Sequence, residues 1–190
     1  MVRTRTPIQE PFDLALSEFY RVKPRMGLYK RLVMLGAEIG DPLAQYAMAT
    51  WYLHGNSVLG IERDIGKAND LLDTCAATLN RAAYDLAVSK LRGIGVKKDP
   101  RAAFRLFVRA STLGSLAAME EQARCLRLGI GTKRDAASAR FLLQRVSSWK
   151  ERLRKAQTLP AASKPPRVRR KESKGSARET RTRGDPQERI

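Results

Sequence analysis

Histidine is almost missing from this 190-residue sequence and cysteine is scarce, with one His and two Cys in all. Metal centres and nucleophilic catalysis need several convergent ligands or bases, so His54, with no such company, marks neither a metal site nor a triad. Cys75 and Cys125 lie far apart without a CxxC spacing, and both read as small apolar helix residues, not as a disulfide framework. Long apolar runs are missing too. No stretch reaches the length needed to cross a bilayer, and Met1-Val2-Arg3-Thr4-Arg5-Thr6-Pro7 lacks the apolar run of a secretory signal, so a cytoplasmic protein is expected. Paired catalytic acids, a thiol-imidazole arrangement and a phosphate-cradling loop are all lacking. Gly93-Ile94-Gly95 falls between two helical patterns and follows no strand, so it is not a dinucleotide fingerprint. The sequence therefore predicts a protein that is not an enzyme and binds no cofactor or metal.

Acidic residues are also short, 19 against 37 basic ones, for a net charge of +18. From Lys150 to Ile190 there are fourteen basic and five acidic residues, so half of the excess sits in about a fifth of the chain. From Gln157 onward prolines, serines and glycines replace the helical pattern, and no aromatic follows Trp149. Such a segment buries too little apolar area to offset the entropy of ordering it, and residues 157–190 are expected to form a disordered basic tail. Its Arg167, Arg169, Arg170, Lys171, Lys174, Arg178, Arg181 and Arg183 suit phosphate contacts. Nucleic-acid binding of this kind would be indifferent to sequence, since the segment offers no aromatic on which bases stack. An anionic membrane surface is a weaker use of the same charges.

What the chain does contain is a repeat. Leu91-Arg92-Gly93-Ile94-Gly95-Val96-Lys97-Lys98-Asp99-Pro100-Arg101-Ala102-Ala103 returns as Leu128-Gly129-Ile130-Gly131-Thr132-Lys133-Arg134-Asp135-Ala136-Ala137-Ser138-Ala139. A fixed period of this size is the mark of stacked supersecondary units. Asp41, Asp64, Asp99 and Asp135 stand where a carboxylate caps a helix start, and Gly55, Gly93 and Gly129 where a helix stops. A first copy carries three additional residues between Gly55 and Gly60. Helices are expected at Phe12 to Val22, Leu28 to Ile39, Pro42 to His54, Lys67 to Leu79, Ala82 to Arg92, Arg101 to Leu113, Ser115 to Leu128 and Ala136 to about Ala156. Ala44, Ala82 and Ala118, with Ala49, Ala87 and Ala123, recur where neighbouring helices must approach closely. The organisation predicted is a leader at 1–10, a helical hairpin covering the end of the stack at 11–39, repeats at 40–156 and the tail.

The pattern Ala44…Ala49…Tyr52…Gly55…Gly60…Asp64…Ala68, recurring as Ala82…Ala87…Gly93…Gly95…Asp99…Ala103 and Ala118…Ala123…Gly129…Gly131…Asp135…Ala139, resembles the Sel-one-like repeat, a cousin of the tetratricopeptide repeat. The resemblance implies an all-α fold, an α-solenoid of antiparallel helix pairs, and a non-catalytic adaptor or scaffold that binds another protein or peptide. The family's aromatic survives only as Tyr52, with Lys90 and Leu126 in its place elsewhere. If the alanines, Met48 and Tyr52 face the core, the first helices of the pairs leave a second stripe outward. That stripe runs through Ala47, Thr50 and His54, then Asp85, Val88 and Arg92, then Glu121, Arg124 and Leu128, and is the expected partner-binding face. Trp51 and Tyr52, at helical spacing, read as core.

Overall fold

The computed structural model describes residues 11–21 and 23–158. Among the described residues there are eight α-helices, one 3-10 turn and no strand. The helices are α1 (Pro11–Phe19), α2 (Met26–Glu38), α3 (Pro42–His54), α4 (Ile65–Cys75), α5 (Asn80–Arg92), α6 (Pro100–Thr112), α7 (Leu116–Leu128) and α8 (Ala136–Thr158). Each packs on its sequence neighbours, so α1/α2, α3/α4, α5/α6 and α7/α8 are antiparallel hairpins stacked side by side in an α-solenoid.

The four expected aspartates begin helices. Asp41 accepts the Leu43 N–H at 2.9 Å, Asp64 that of Lys67 at 3.0 Å, Asp99 that of Ala102 at 2.9 Å, and Asp135 those of Ala137 and Ser138 at 3.0 Å each. Each satisfies backbone donors that the first helical turn leaves without a partner. At the other end Gly93 and Gly129 adopt the left-handed conformation, and their N–H groups return to Ser89 and Cys125. Some boundaries differ from expectation. The helix predicted from Lys67 to Leu79 starts at Ile65, directly after its cap, and ends at Cys75; the Leu79 N–H bonds to the Cys75 carbonyl, and the extended Leu79 leads into α5 two residues before Ala82. Likewise α1 ends at Phe19, short of Val22, and α8 runs two residues past Ala156. The additional residues after Gly55 fold into the 3-10 turn Ser57–Leu59, closed by Asn56, whose side chain accepts the Leu59 N–H at 3.1 Å.

Alanine lets the helices come together. Ala44, Ala82 and Ala118 are fully buried, and Ala49, Ala87 and Ala123 are at most 1% exposed. Around them lie Leu72, Leu86, Phe107 and Cys125, while Val33, Trp51 and Leu59 form a second cluster against α1 and α2. Tyr29 meets Trp51 edge-on at 5.6 Å, which places Trp51 in the core as expected; Tyr52 is half-buried with the Lys67 ammonium over its ring. Two turns leave no room for a side chain. A Cβ on Gly95 would lie 2.5 Å from the Ile65 Cγ2, and one on Gly131 would fall on the Pro100 carbonyl oxygen. In both cases the turn of one repeat is seated on the start of the second helix of the repeat before it.

The α1–α2 turn is held by one carboxylate. Glu18 is 5% exposed and accepts from Arg25 Nε at 2.8 Å, Arg25 Nη2 at 3.0 Å, the Arg25 N–H at 3.0 Å and Arg21 Nη1 at 3.2 Å. The Arg25 side chain, above all, holds the Glu18 carboxyl at about 2.

Two outcomes follow from this packing. Gly60 has positive φ but open space around it, so Gly60→Ala should cost about 1 to 2 kcal/mol. Gly131→Ala adds a backbone collision to the same strain and should cost more than about 4 kcal/mol, read from urea midpoints; equal losses would contradict the seating described. Because the folded pKa of Glu18 is depressed from 4.5 to about 2, its stabilisation is present above 4.5 and lost as pH falls through about 2. Glu18→Gln should therefore melt below the parent protein at pH 7 and approach it as pH nears 2.

Candidate functional site

α3, α5 and α7, the first helices of successive pairs, are linked by the Tyr46–Asp85 hydrogen bond and by a cleft lined from α5 and α7. The structure joins some members of the predicted stripe and separates others. Val88, Arg92, Glu121 and Arg124 come together with Tyr84 and Leu91 around a cleft of ≈ 480 Å³ between α5 and α7. Val88 and Leu91 are half-buried against the main core, while Arg92, the last residue of α5, is exposed. Arg124 grips Glu121 one turn earlier, Nε at 2.8 Å and Nη2 at 2.7 Å. The Glu121 hydrogen bond is the first influence holding the Arg124 guanidinium above its usual range. Apolar wall, tyrosine and opposed charges thus meet in one place.

The remaining stripe residues do other work. Asp85 is half-buried and accepts the Tyr46 hydroxyl at 3.0 Å, a hydrogen bond spanning α3 and α5. Burial is the largest influence on both groups: it pushes the Asp85 carboxyl up and, with the Asp85 charge beside it, the Tyr46 phenol to about 12. His54 and Arg81 act on Asp85 in the opposite sense, which places both within its electrostatic reach. Thr50 turns its hydroxyl back to the Ala47 carbonyl at 2.7 Å. Leu128 ends α7 56% exposed and does not line the cleft.

Tyr46, Tyr84 and Leu91 were absent from the predicted stripe. Tyr46 and Tyr84 each stand two residues after the first alanine of their repeat, at Ala44 and Ala82, so the repeat register carried a signal for them. Tyr46 reaches the residue three places after the next repeat's first alanine, which is Asp85; the counterpart for Tyr84 is Glu121. Glu121 acts electrostatically on Tyr84 and is hydrogen-bonded to Arg124. The same positional rule thus gives a closed contact at one interface and a cleft at the next.

Cys75 and Cys125 are buried free thiols whose pKa burial pushes up, to about 11 for Cys75. Among the described residues no three His, Cys, Asp or Glu side chains converge as a metal site, and no helix is long and apolar enough to cross a membrane. The tail residues Arg167, Arg169, Arg170, Lys171, Lys174, Arg178, Arg181 and Arg183 lie outside the described residues.

Stacked antiparallel helix pairs joined by aspartate-capped glycine turns define a repeat α-solenoid, a class built to present an extended face. The chain belongs to the Sel1 repeat family, whose model matches residues 42–73, 80–115 and 116–146. Among solved structures it is similar to a Sel1 repeat protein from Oxalobacter formigenes, 27% identical over 75% of this chain and 44% of that one, with a TM-score of 0.66. It also shares its fold with c5321, described as a protective antigen of uropathogenic Escherichia coli displaying an SLR fold, 22% identical over 73% of this chain and 30% of that one, with a TM-score of 0.66. The chain therefore spans less than half the length of either protein. No curated protein matches it. Sel1 repeat proteins generally serve as protein-interaction scaffolds and are typically non-catalytic.

The Tyr46–Asp85 bond generates a prediction. Removing its donor with Tyr46→Phe leaves a half-buried carboxylate one partner short and should cost about 1 to 3 kcal/mol. The folded pKa of Asp85 is raised above 3.8, so the stability linked to its protonated form is complete below 3.8 and lost as pH rises through the folded value. Asp85→Asn should accordingly gain on the parent protein in urea midpoint between pH 3 and pH 7; a constant difference would contradict the buried ionisation.

Proposed function

We propose that the protein is a non-catalytic scaffold whose first-helix face, from Tyr46 and His54 to Glu121, Arg124 and Leu128, receives a segment of a partner polypeptide. The observation carrying this reading is the cleft between α5 and α7. Its apolar wall of Val88 and Leu91 suits an anchoring side chain, while Arg92, Glu121 and Arg124 offer charges to a peptide backbone or a terminal carboxylate. In the same reading the hairpin at 11–39 closes one end of the stack and the repeats at 40–156 carry the recognition surface. A partner so bound places its anchor in a partly desolvated pocket, where one residue contributes most of the affinity.

Site-specific photocrosslinking tests the placement. A benzophenone amino acid at Val88 should capture a partner from the native cell, whereas the same group at Arg105, exposed on the second helix α6, should not. Val88→Arg should abolish co-purification of whatever Val88 captures. Capture from Arg105 alone, or co-purification indifferent to Val88→Arg, would move the binding surface elsewhere.

A further inference from the structure

The last helix is built differently from the rest. α8 has 23 residues, whereas α3, α5, α6 and α7 have 13 each. At a rise of 1.5 Å per residue the excess amounts to about 15 Å of helix. Its apolar residues continue into that excess. Ala139, Leu142, Val146, Trp149, Leu153 and Ala156 follow one another at alternating steps of three and four, the spacing of a seam that meets another helix. Ala139 and Val146 are each 2% exposed and Leu142 is half-buried, but Trp149 is 47% and Leu153 48% exposed. Lys150 of α8 is paired with Glu120, the fifth residue of α7, so the antiparallel α7 still runs beside Trp149 without covering it and ends about one turn further on, near Leu153. α8 is the last described element, so no following helix packs against its other side.

The flanks of the open seam are cationic. α8 carries Arg140, Arg145, Lys150, Arg152, Arg154 and Lys155 against the single acid Glu151. Lys150 is neutralised by Glu120, and Arg154 and Lys155 share Glu151. Arg145 and Arg152 instead lie over the rings of Phe141 and Trp149, each 5.9 Å from the ring centre, and no acid among the described residues forms an ion pair with either. Phe141 is itself 60% exposed. Charge then decides among occupants. A second copy would bring the same cations against these, and residues 159–190 of this chain contain ten basic and four acidic residues, so both are repelled.

We propose that the outer half of α8 is a docking site for an acidic amphipathic helix of another protein. Apolar residues of the incoming helix, at three- and four-residue steps, cover Trp149 and Leu153. Carboxylates on its flanks meet Arg145 and Arg152, which are already held in place over the two aromatic rings. This surface is separate from the cleft between α5 and α7, and occupancy of one does not require the other.

The test uses the full-length protein and two labelled synthetic peptides of about three heptads, both with leucine at the seam positions. One carries glutamate and the other lysine at the flanking positions. Fluorescence anisotropy should show the glutamate peptide binding at least about tenfold more tightly, and Arg145→Glu/Arg152→Glu should reverse the preference. Trp149→Ala/Leu153→Ala, which alters only half-exposed side chains, should leave the circular dichroism melt unchanged and weaken the glutamate peptide by about tenfold or more. Three results would each overturn the proposal. The glutamate peptide could bind the Trp149→Ala/Leu153→Ala protein as well as the parent, so that dispersed positive charge alone holds it. Sedimentation could show a parent dimer that these substitutions dissociate, so that the seam joins copies of this chain. Phosphatidylserine vesicles or a single-stranded oligonucleotide could protect Trp149 from acrylamide quenching while the glutamate peptide fails to bind.

Discussion

Between one repeat's turn and the preceding repeat's second helix there is no space for even a methyl group, and this exclusion sets the rest of the structure. Gly95 sits on Ile65 and Asn69, and Gly131 on the first residues of α6. Both glycines have positive φ, so the same residue meets a conformational demand and a steric one. Asn69 reinforces the first seat from below, its amide donating to the Ile94 carbonyl at 2.9 Å. With the turns seated, the hairpins pack closely, and small alanines lie buried along the first helices. Register across the first-helix face then follows without further instruction.

A shared register does not make the interfaces alike. Between α3 and α5 the tyrosine meets an aspartate and the two groups satisfy each other; between α5 and α7 the acid is a glutamate whose longer arm turns to Arg124. The difference leaves Tyr84, Val88 and Leu91 facing a hollow. One methylene and one arginine therefore separate a closed contact from an open cleft. Repeat proteins diversify in this way because each interface tolerates its own side chains provided the seats beneath it are kept.

The backbone plan was legible in the sequence because its signals are local. A cap, a left-handed glycine and a row of alanines each act within a few residues, and the repetition of all three removed the ambiguity a single copy would have had. The 3-10 turn was not legible: three additional residues show where a loop lengthens, but the fold of that loop depends on Leu59 finding the cluster of Val33 and Trp51. The early end of α4 was missed for a related reason, since Ala76-Ala77-Thr78 are compatible with a helix and only the need to turn into α5 stops them. On the candidate site, Val88, Arg92, Glu121 and Arg124 came from periodicity. Tyr46 and Tyr84 escaped because their contacts cross between repeats, and an intrahelical pattern does not contain that information.

The lengthened first turn ties one end of the stack. Leu59 is buried against α2 and α3, and its carbonyl accepts Lys30 Nζ at 2.7 Å, so the N-terminal hairpin is tied to the first repeat through the loop as well as through α2 and α3. At the far end the turn leading into α8 makes the corresponding tie, since Gly131 is seated on the first residues of α6. In a quasi-one-dimensional array each unit is held only by its neighbours, so a turn that reaches across adds to a coupling the helices would otherwise carry alone. The Leu59 loop is thus a fastening as well as a connection: shortening it to the length of the other two turns would free Lys30 and uncover the cluster of Val33 and Trp51, loosening the N-terminal hairpin while leaving the Gly95 and Gly131 seats in place.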